Sequence, residues 1–266
     1  MSIPFRDSDY SGMKVLVVPD AWQASLIAVE SILKVIQSAQ DERGRAVLGL
    51  ATGSTPETVY AHLVERHRTG FLSFQNITTY NLDEYYPISP LDPKSYRSYM
   101  HRHLFSHVDI APHRAHVLDG TVPEAYVAEH AAQFDHWIEA DGGLDVQLLG
   151  IGRNGHVGFN EPTDLPVEQA LRLATRLVEL HMITRADAAR EFGGVDHVIP
   201  RALTVGVASI LAARSILMIA TGAHKAEAVA CALNGPMTAE LPASLLQTVA
   251  DKVTWVLDEP AAQGLP

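Results

Sequence analysis

The chain has 266 residues, 47% hydrophobic and 19% charged, and a formal net charge of −11. This is the composition of a folded globular protein large enough for a substantial core. The acidic balance argues against nucleic acid, whose readers carry a basic face, and means that an anionic ligand would need cations placed locally.

One cysteine, Cys231, cannot form an internal disulfide, which suits a reducing cytosol. The N-terminal MSIPFRDSDYSG lacks the basic-then-apolar pattern of a signal peptide, so a cytoplasmic location is expected. The longest apolar region, Ala202 to Gly222, contains Arg214. It reads as a helix to Ala213 followed by a strand from Ser215 to Ala220, and no membrane association is expected. No repeat and no Pro/Ser-rich linker divides the chain, so residues 1–266 are expected to form one domain.

In chain order, Lys14 to Val18 is an apolar strand ended by Pro19-Asp20. A helical pattern runs from Ala21 to Ala39, with Leu26, Val29, Ile32, Leu33 and Ile36 on one stripe. A second strand, Arg45 to Leu50, leads into Ala51-Thr52-Gly53-Ser54-Thr55-Pro56 and a helix to Arg68. Thr55 suits an N-cap and Pro56 the first helical position. The free N–H groups of that helix start, with the hydroxyls of Thr52, Ser54 and Thr55, would make an anion cradle. An ordinary capped turn has the same pattern, and the Lys-Ser/Thr ending of a nucleotide loop is missing.

A third strand, Ile77 to Leu82, delivers Asp83-Glu84-Tyr85. Neighbouring side chains on a strand point to opposite faces, so one of the two carboxylates would face a site there. Ser95 to Leu104 and Pro123 to Glu139 read as helices, and Ala115 to Leu118 as a short strand. Thr163 to Gly194 is the least regular part. It offers a strand at Leu173 to Val178 and a helix at Arg185 to Phe192 carrying Arg190, a candidate lid. Thr221-Gly222-Ala223-His224-Lys225 follows the strand ending at Ala220 and opens a helix to Leu233, which places Lys225 in its first turn. A cation there opposes the helix dipole unless an anion lies between. Val253 to Leu257 reads as a last strand.

The central stretch is Leu148 to Pro162, LLGIGRNGHVGFNEP, after the buried strand Val146 to Leu149. Gly150, Gly152 and Gly155 match a dinucleotide fingerprint. However, Gly158, Pro162 and Pro166 forbid the long helix that motif requires. His156 and Glu161 form an acid-base pair on the turn. With 13 histidines in the chain, a lone one is usually idle; this one has three glycines before it and a carboxylate after it. Strands separated by helices make a parallel sheet whose strand ends share one rim, where ligands bind. The expectation is therefore an open, mostly parallel α/β sheet, modified Rossmann-like, with helices on both faces. Thr52-Gly53-Ser54, Asp83, Asn154-Gly155-His156 and Lys225 would meet at its C-terminal edge. That set suits a small phosphorylated substrate that needs proton transfer and no cofactor.

These residues resemble the glucosamine-6-phosphate deaminase (isomerase) family. The stretches that carry the resemblance are LGLATGSTP, NLDEYYP, SYRSYMHRHLFSHVDI, GIGRNGHVGFNEP, RALTVGVASIL and TGAHKAEAV, in the family's order across most of the chain. The resemblance implies no metal and no organic cofactor, and conversion of glucosamine 6-phosphate and water to fructose 6-phosphate and ammonia. By position, Asp83 resembles the base that moves a proton between C2 and C1. His156 resembles the group that opens the sugar ring, with Glu161 orienting it and favouring its charged form. Gly53, Ser54, Arg190 and Lys225, with Thr52 beside them, resemble the phosphate clamp, and Gly155 a point of close approach to substrate. Asn154 stands where one branch has aspartate. Val178 stands where that branch has a lysine used, with the position of Arg176, for activation by N-acetylglucosamine 6-phosphate; weak or absent activation is expected. A homo-oligomer is compatible with the resemblance. Alternatives are a deaminase of galactosamine 6-phosphate, a 6-phosphogluconolactonase and a non-catalytic sugar-phosphate sensor.

Overall fold

The computed structural model describes residues 5–266. The described chain opens with a hairpin, β1 (Arg6–Tyr10) and β2 (Met13–Val18), turned by Ser11 and Gly12 at positive φ. There follow α1 (Ala21–Arg43), β3 (Ala46–Leu50), α2 (Ser54–Arg68), β4 (Ile77–Asn81), β5 (Asp83–Tyr86), α3 (Tyr96–His103), β6 (Ala115–His116), α4 (Val127–Ala140) and β7 (Val146–Leu149). The rest comprises α5 (Val167–Ala170), β8 (Arg176–Glu179), α6 (Met182–Phe192), β9 (Arg201–Thr204), α7 (Val207–Leu211), β10 (Ser215–Ala220), α8 (Ala226–Asn234) and β11 (Val253–Asp258).

The large sheet has the order β1-β2-β11-β10-β7-β3-β4-β6. Apart from the β1–β2 hairpin its pairs are parallel, so the strands of the parallel part end on one rim, as the helix-separated strands required. Side chains alternate across it. Val47 belongs to one buried apolar cluster with Phe134 and Ile138 of α4 and Val229 of α8. Leu48 and Leu50 pack with Ile32 of α1 and Val59 and Leu63 of α2. Each such fully buried aliphatic side chain contributes roughly 1.5–3 kcal/mol, and the two clusters hold helices against both faces. α1 is closed at both ends: Asp20 accepts from the Gln23 amide at 2.8 Å, and Gly44, at φ +70, donates back to Gln40 O at 2.8 Å. Below β7, the buried Asp145 carboxylate accepts from the Val47 amide at 2.8 Å and pairs with Arg43 and Arg214.

A second, three-stranded sheet, β5-β9-β8, is antiparallel; of its strands only the β8 segment was expected, and not its pairing. The expected strand Ile77 to Leu82 stops at Asn81. Leu82 still donates to Leu50 O at 2.9 Å, but its own carbonyl accepts from Val205 at 2.7 Å, and from Asp83 the chain continues in the small sheet. The helix expected to run to Ala213 is corrected likewise. Arg201–Thr204 is the middle strand of the small sheet, paired on both sides, and only Val207–Leu211 is helical. Leu203 and Ala202 are fully buried there, and an apolar run has no periodicity to separate strand from helix. The irregular segment resolves into β8, which starts three residues later and ends one residue later than expected, and α6, which begins at Met182. Arg176 on β8 donates to Asn160 Oδ1 at 2.9 Å, while Val178 packs against the apolar cluster of Phe159, Leu180 and Phe192. Among the described residues no helix is long and apolar enough to cross a membrane.

Candidate active site

The rim of the large sheet and the inner side of the small one enclose a hollow of about 700 Å³, within the roughly 300–1,000 Å³ typical of small-molecule sites. Thr52, Gly53, Ser54, Asp83, His156, Arg190 and Lys225 all line it. Asn154 and Glu161 stand behind His156. Gly155, expected against substrate, does not line the hollow. Its φ is +81, and a Cβ there would fall 2.2 Å from Leu241 Cδ1, so it serves the turn and its packing.

The anion cradle is built on α2. That helix starts at Ser54 with Gly53 as its N-cap, not at the expected Thr55-Pro56. Gly53 has φ +104, a conformation costly for a residue with a Cβ. The loop's carbonyls are tied elsewhere: Tyr60 OH donates to Ala51 O and Tyr99 OH to Gly53 O at 2.7 Å. The unpaired N–H groups of the helix start are what the loop offers to an anion. Thr52 is directed away from the cradle, its hydroxyl donating to Asp83 Oδ1 at 3.4 Å.

Of the two adjacent carboxylates, Asp83 faces the hollow. Glu84 turns into the protein, accepting from the amides of Tyr85 at 3.0 Å, Tyr96 at 2.8 Å and Arg97 at 2.9 Å, and so anchors the start of α3. Burial pushes the Asp83 carboxyl up to about 8; the charge of Glu84 adds to this and the Thr52 hydroxyl opposes it.

His156 is held from one side by a relay. Asn154 Nδ2 donates to Glu161 Oε2 at 2.9 Å, and Asn154 Oδ1 lies 2.7 Å from His156 Nδ1. A carboxylate only accepts, which fixes the amide orientation. Nδ1 therefore carries the proton and Nε2 keeps its lone pair. The Thr184 hydroxyl of α6 lies 3.2 Å from the same Nδ1. The ring also lies flat against Gly152, where a Cβ would sit 2.2 Å from His156 Cε1. Glu161 was expected to hold the imidazole directly and favour its charged form. Instead Asn154 intervenes, the carboxylate oxygen is 3.6 Å from Nδ1, and burial lowers the imidazole pKa against the opposing charge of Glu161, with Lys225 lowering it further. A neutral imidazole results.

Lys225 closes a short 3-10 turn just before α8, and burial lowers its pKa. Arg190 comes from the last turn of α6, so the helix from the irregular segment does reach the site.

The family described as glucosamine-6-phosphate isomerases/6-phosphogluconolactonase matches residues 19–255. The chain belongs to this family. Among its relatives, a glucosamine-6-phosphate deaminase of Bacillus velezensis is 44% identical over 235 residues, 88% of this chain and 94% of the relative. One of Rhodopirellula baltica is 44% identical over 253 residues, covering 95% and 96%. The solved structure of a monomeric glucosamine-6-phosphate deaminase superposes with a TM-score of 0.87 at 40% identity, covering 95% of this chain and all of that one. The 6-phosphogluconolactonase of Trypanosoma brucei, at 18% identity and a TM-score of 0.78 over 98% of this chain, shares the fold.

Within this family framework the site holds groups that sequence reasoning missed. Tyr96, Arg153, Thr184, Asp187 and Glu191 also line the hollow. Thr184 and Asp187 come with α6, whose inner face could not be told from its outer one in an irregular segment. Arg153 lay inside the motif but carried no signal of direction.

Proposed function

We infer that the chain converts glucosamine 6-phosphate and water to fructose 6-phosphate and ammonia. The observation that carries this is the placement of two differently tuned acid-base groups, Asp83 and His156, in one hollow with the cradle of Gly53-Ser54, Arg190 and Lys225.

The chemistry follows from the protonation states. The cradle's N–H groups and the two cations hold the phosphate, Arg190 by paired donors and Lys225 as a point charge. The free Nε2 of His156 accepts the proton of the anomeric hydroxyl and returns it to the ring oxygen, which opens the sugar to its aldehyde. Asp83 holds its proton before substrate binds because burial disfavours the carboxylate. The substrate's ammonium supplies the opposite charge that draws it into the ionised form. As carboxylate it takes the C2 proton, giving an enolamine, and delivers that proton to C1. The resulting C2 imine adds water, and the C–N bond breaks with release of ammonia and fructose 6-phosphate. A lactonase would have no use for a carbon base at Asp83.

The test is incubation with glucosamine 6-phosphate, galactosamine 6-phosphate and 6-phosphogluconolactone, measuring ammonia and acid release. Ammonia from the first, abolished in Asp83→Asn, is expected. Acid from the lactone alone would overturn the inference, and ammonia from the galactosamine ester alone would reassign the substrate.

A further inference from the structure

The turn that carries the imidazole has two corner side chains, and only one of them serves it. Gly155 donates to Gly152 O at 3.0 Å, so Arg153 and Asn154 occupy the corners. Asn154 goes to His156. Arg153 goes the other way, to α6: its Nε donates to Asp187 Oδ1 at 2.7 Å and its Nη2 lies 2.5 Å from the same oxygen. Both residues line the hollow with Arg190 and Lys225. Asp187 stands three residues before Arg190 on α6, hence on the same face of the helix. Its charge and that of Arg153 both act on Lys225, in opposite senses. A carboxylate thus pairs with Arg153 and acts on Lys225 in the hollow that Arg190 also lines.

We propose that Arg153 is a further phosphate-binding residue, which Asp187 holds before substrate binds and surrenders when the substrate's phosphate enters. This rests on the sugar-phosphate reading above and adds to it a binding residue and its internal competitor. Three features support the exchange. The pair is half in water, with side-chain exposures of 44% and 35%, and such pairs contribute little stability. Both contacts fall on one carboxylate oxygen, so the guanidinium's paired-donor geometry is not used; a phosphate can use it. A dianion also brings more charge to Arg153, Arg190 and Lys225 together than a single carboxylate does.

The test compares wild type, Arg153→Met, Arg153→Lys and Asp187→Asn by calorimetric binding of inorganic phosphate, by KM and kcat for glucosamine 6-phosphate, and by thermal unfolding. Arg153→Met is expected to weaken phosphate binding roughly tenfold and to raise KM more than it lowers kcat, with Arg153→Lys intermediate. Asp187→Asn is expected to do the reverse, tightening phosphate several-fold, because it removes the competitor. If the pair were only a clasp for α6, Asp187→Asn would weaken phosphate binding as Arg153→Met does and lower the unfolding temperature equally; that result overturns the proposal. So does unchanged phosphate affinity in Arg153→Met. Phosphate binding needs no turnover: the expected pattern without ammonia production would sink the assigned reaction and leave the binding role standing.

Discussion

Asp83→Asn should make the protein more stable, by an amount that grows with pH. The carboxyl titrates at about 8 in the folded chain against 3.8 as the unperturbed value. Below pH ~4 the group is protonated in both states, and asparagine mimics it in shape. As pH rises from ~4 toward ~8 the unfolded chain releases the proton while the folded chain keeps it. Wild-type stability is lost across that window, and the loss is complete above the folded value. Each tenfold difference in proton affinity is about 1.4 kcal/mol, so the ceiling is ~6 kcal/mol above pH 8. The effective dielectric inside a protein is well above that of a dry medium and reduces this, leaving about 2–4 kcal/mol as the expected gain. Urea unfolding at pH 5, 7 and 9 measures it as the difference in midpoint between variant and wild type. A variant less stable than wild type at pH 9, or a difference that does not widen between pH 5 and 9, would refute the reasoning that burial keeps this base protonated until substrate arrives.

Replacing Asn154 by Asp puts a carboxylate 2.7 Å from Nδ1, where an amide oxygen now sits. The imidazolium form gains, and the acid limb of the kcat/KM profile that reports His156 should move to higher pH; an unmoved profile would contradict the relay. Gly152→Ala places a methyl where the His156 ring lies, 2.2 Å from Cε1. It should lower kcat by about a hundredfold or more while the unfolding temperature changes little, since the ring rather than the core must shift. Asp145→Ala removes the acceptor of the Val47 amide and the partner of Arg43 and Arg214. A loss of about 2–3 kcal/mol in urea is expected, with KM unchanged because this end of β7 is opposite the rim.

The parallel strands and their common edge were legible because each signal was local. An apolar run ended in glycine, a capping residue or a carboxylate, and helical periodicity followed. Those features alone place Gly53, Asp83, His156 and Lys225 at one edge of the sheet. The small sheet was not legible, for a reason visible at Arg201–Thr204. Its central strand is buried on both sides and carries no alternation, and the strands flanking it come from sequence-distant segments. The choice between Asp83 and Glu84 was also out of reach, since it depends on two amides at the start of α3 which, with that of Tyr85, capture one of them. Polarity in the relay misled: adjacency of His156 and Glu161 in sequence suggested a direct pair, whereas the turn geometry puts Asn154 between them and burial outweighs the charge.

The step from Leu82 to Asp83, where the chain leaves one sheet for the other, has a mechanical meaning. Asp83, the proposed carbon base, takes its coordinates from the small leaf, and the imidazole and the Gly53 loop take theirs from the large one. The separation between the two proton carriers is therefore a property of how the leaves seat on each other. Packing changes at that seam, at Val205 or Phe159 for instance, can retune the spacing of the chemistry without altering a single reactive group.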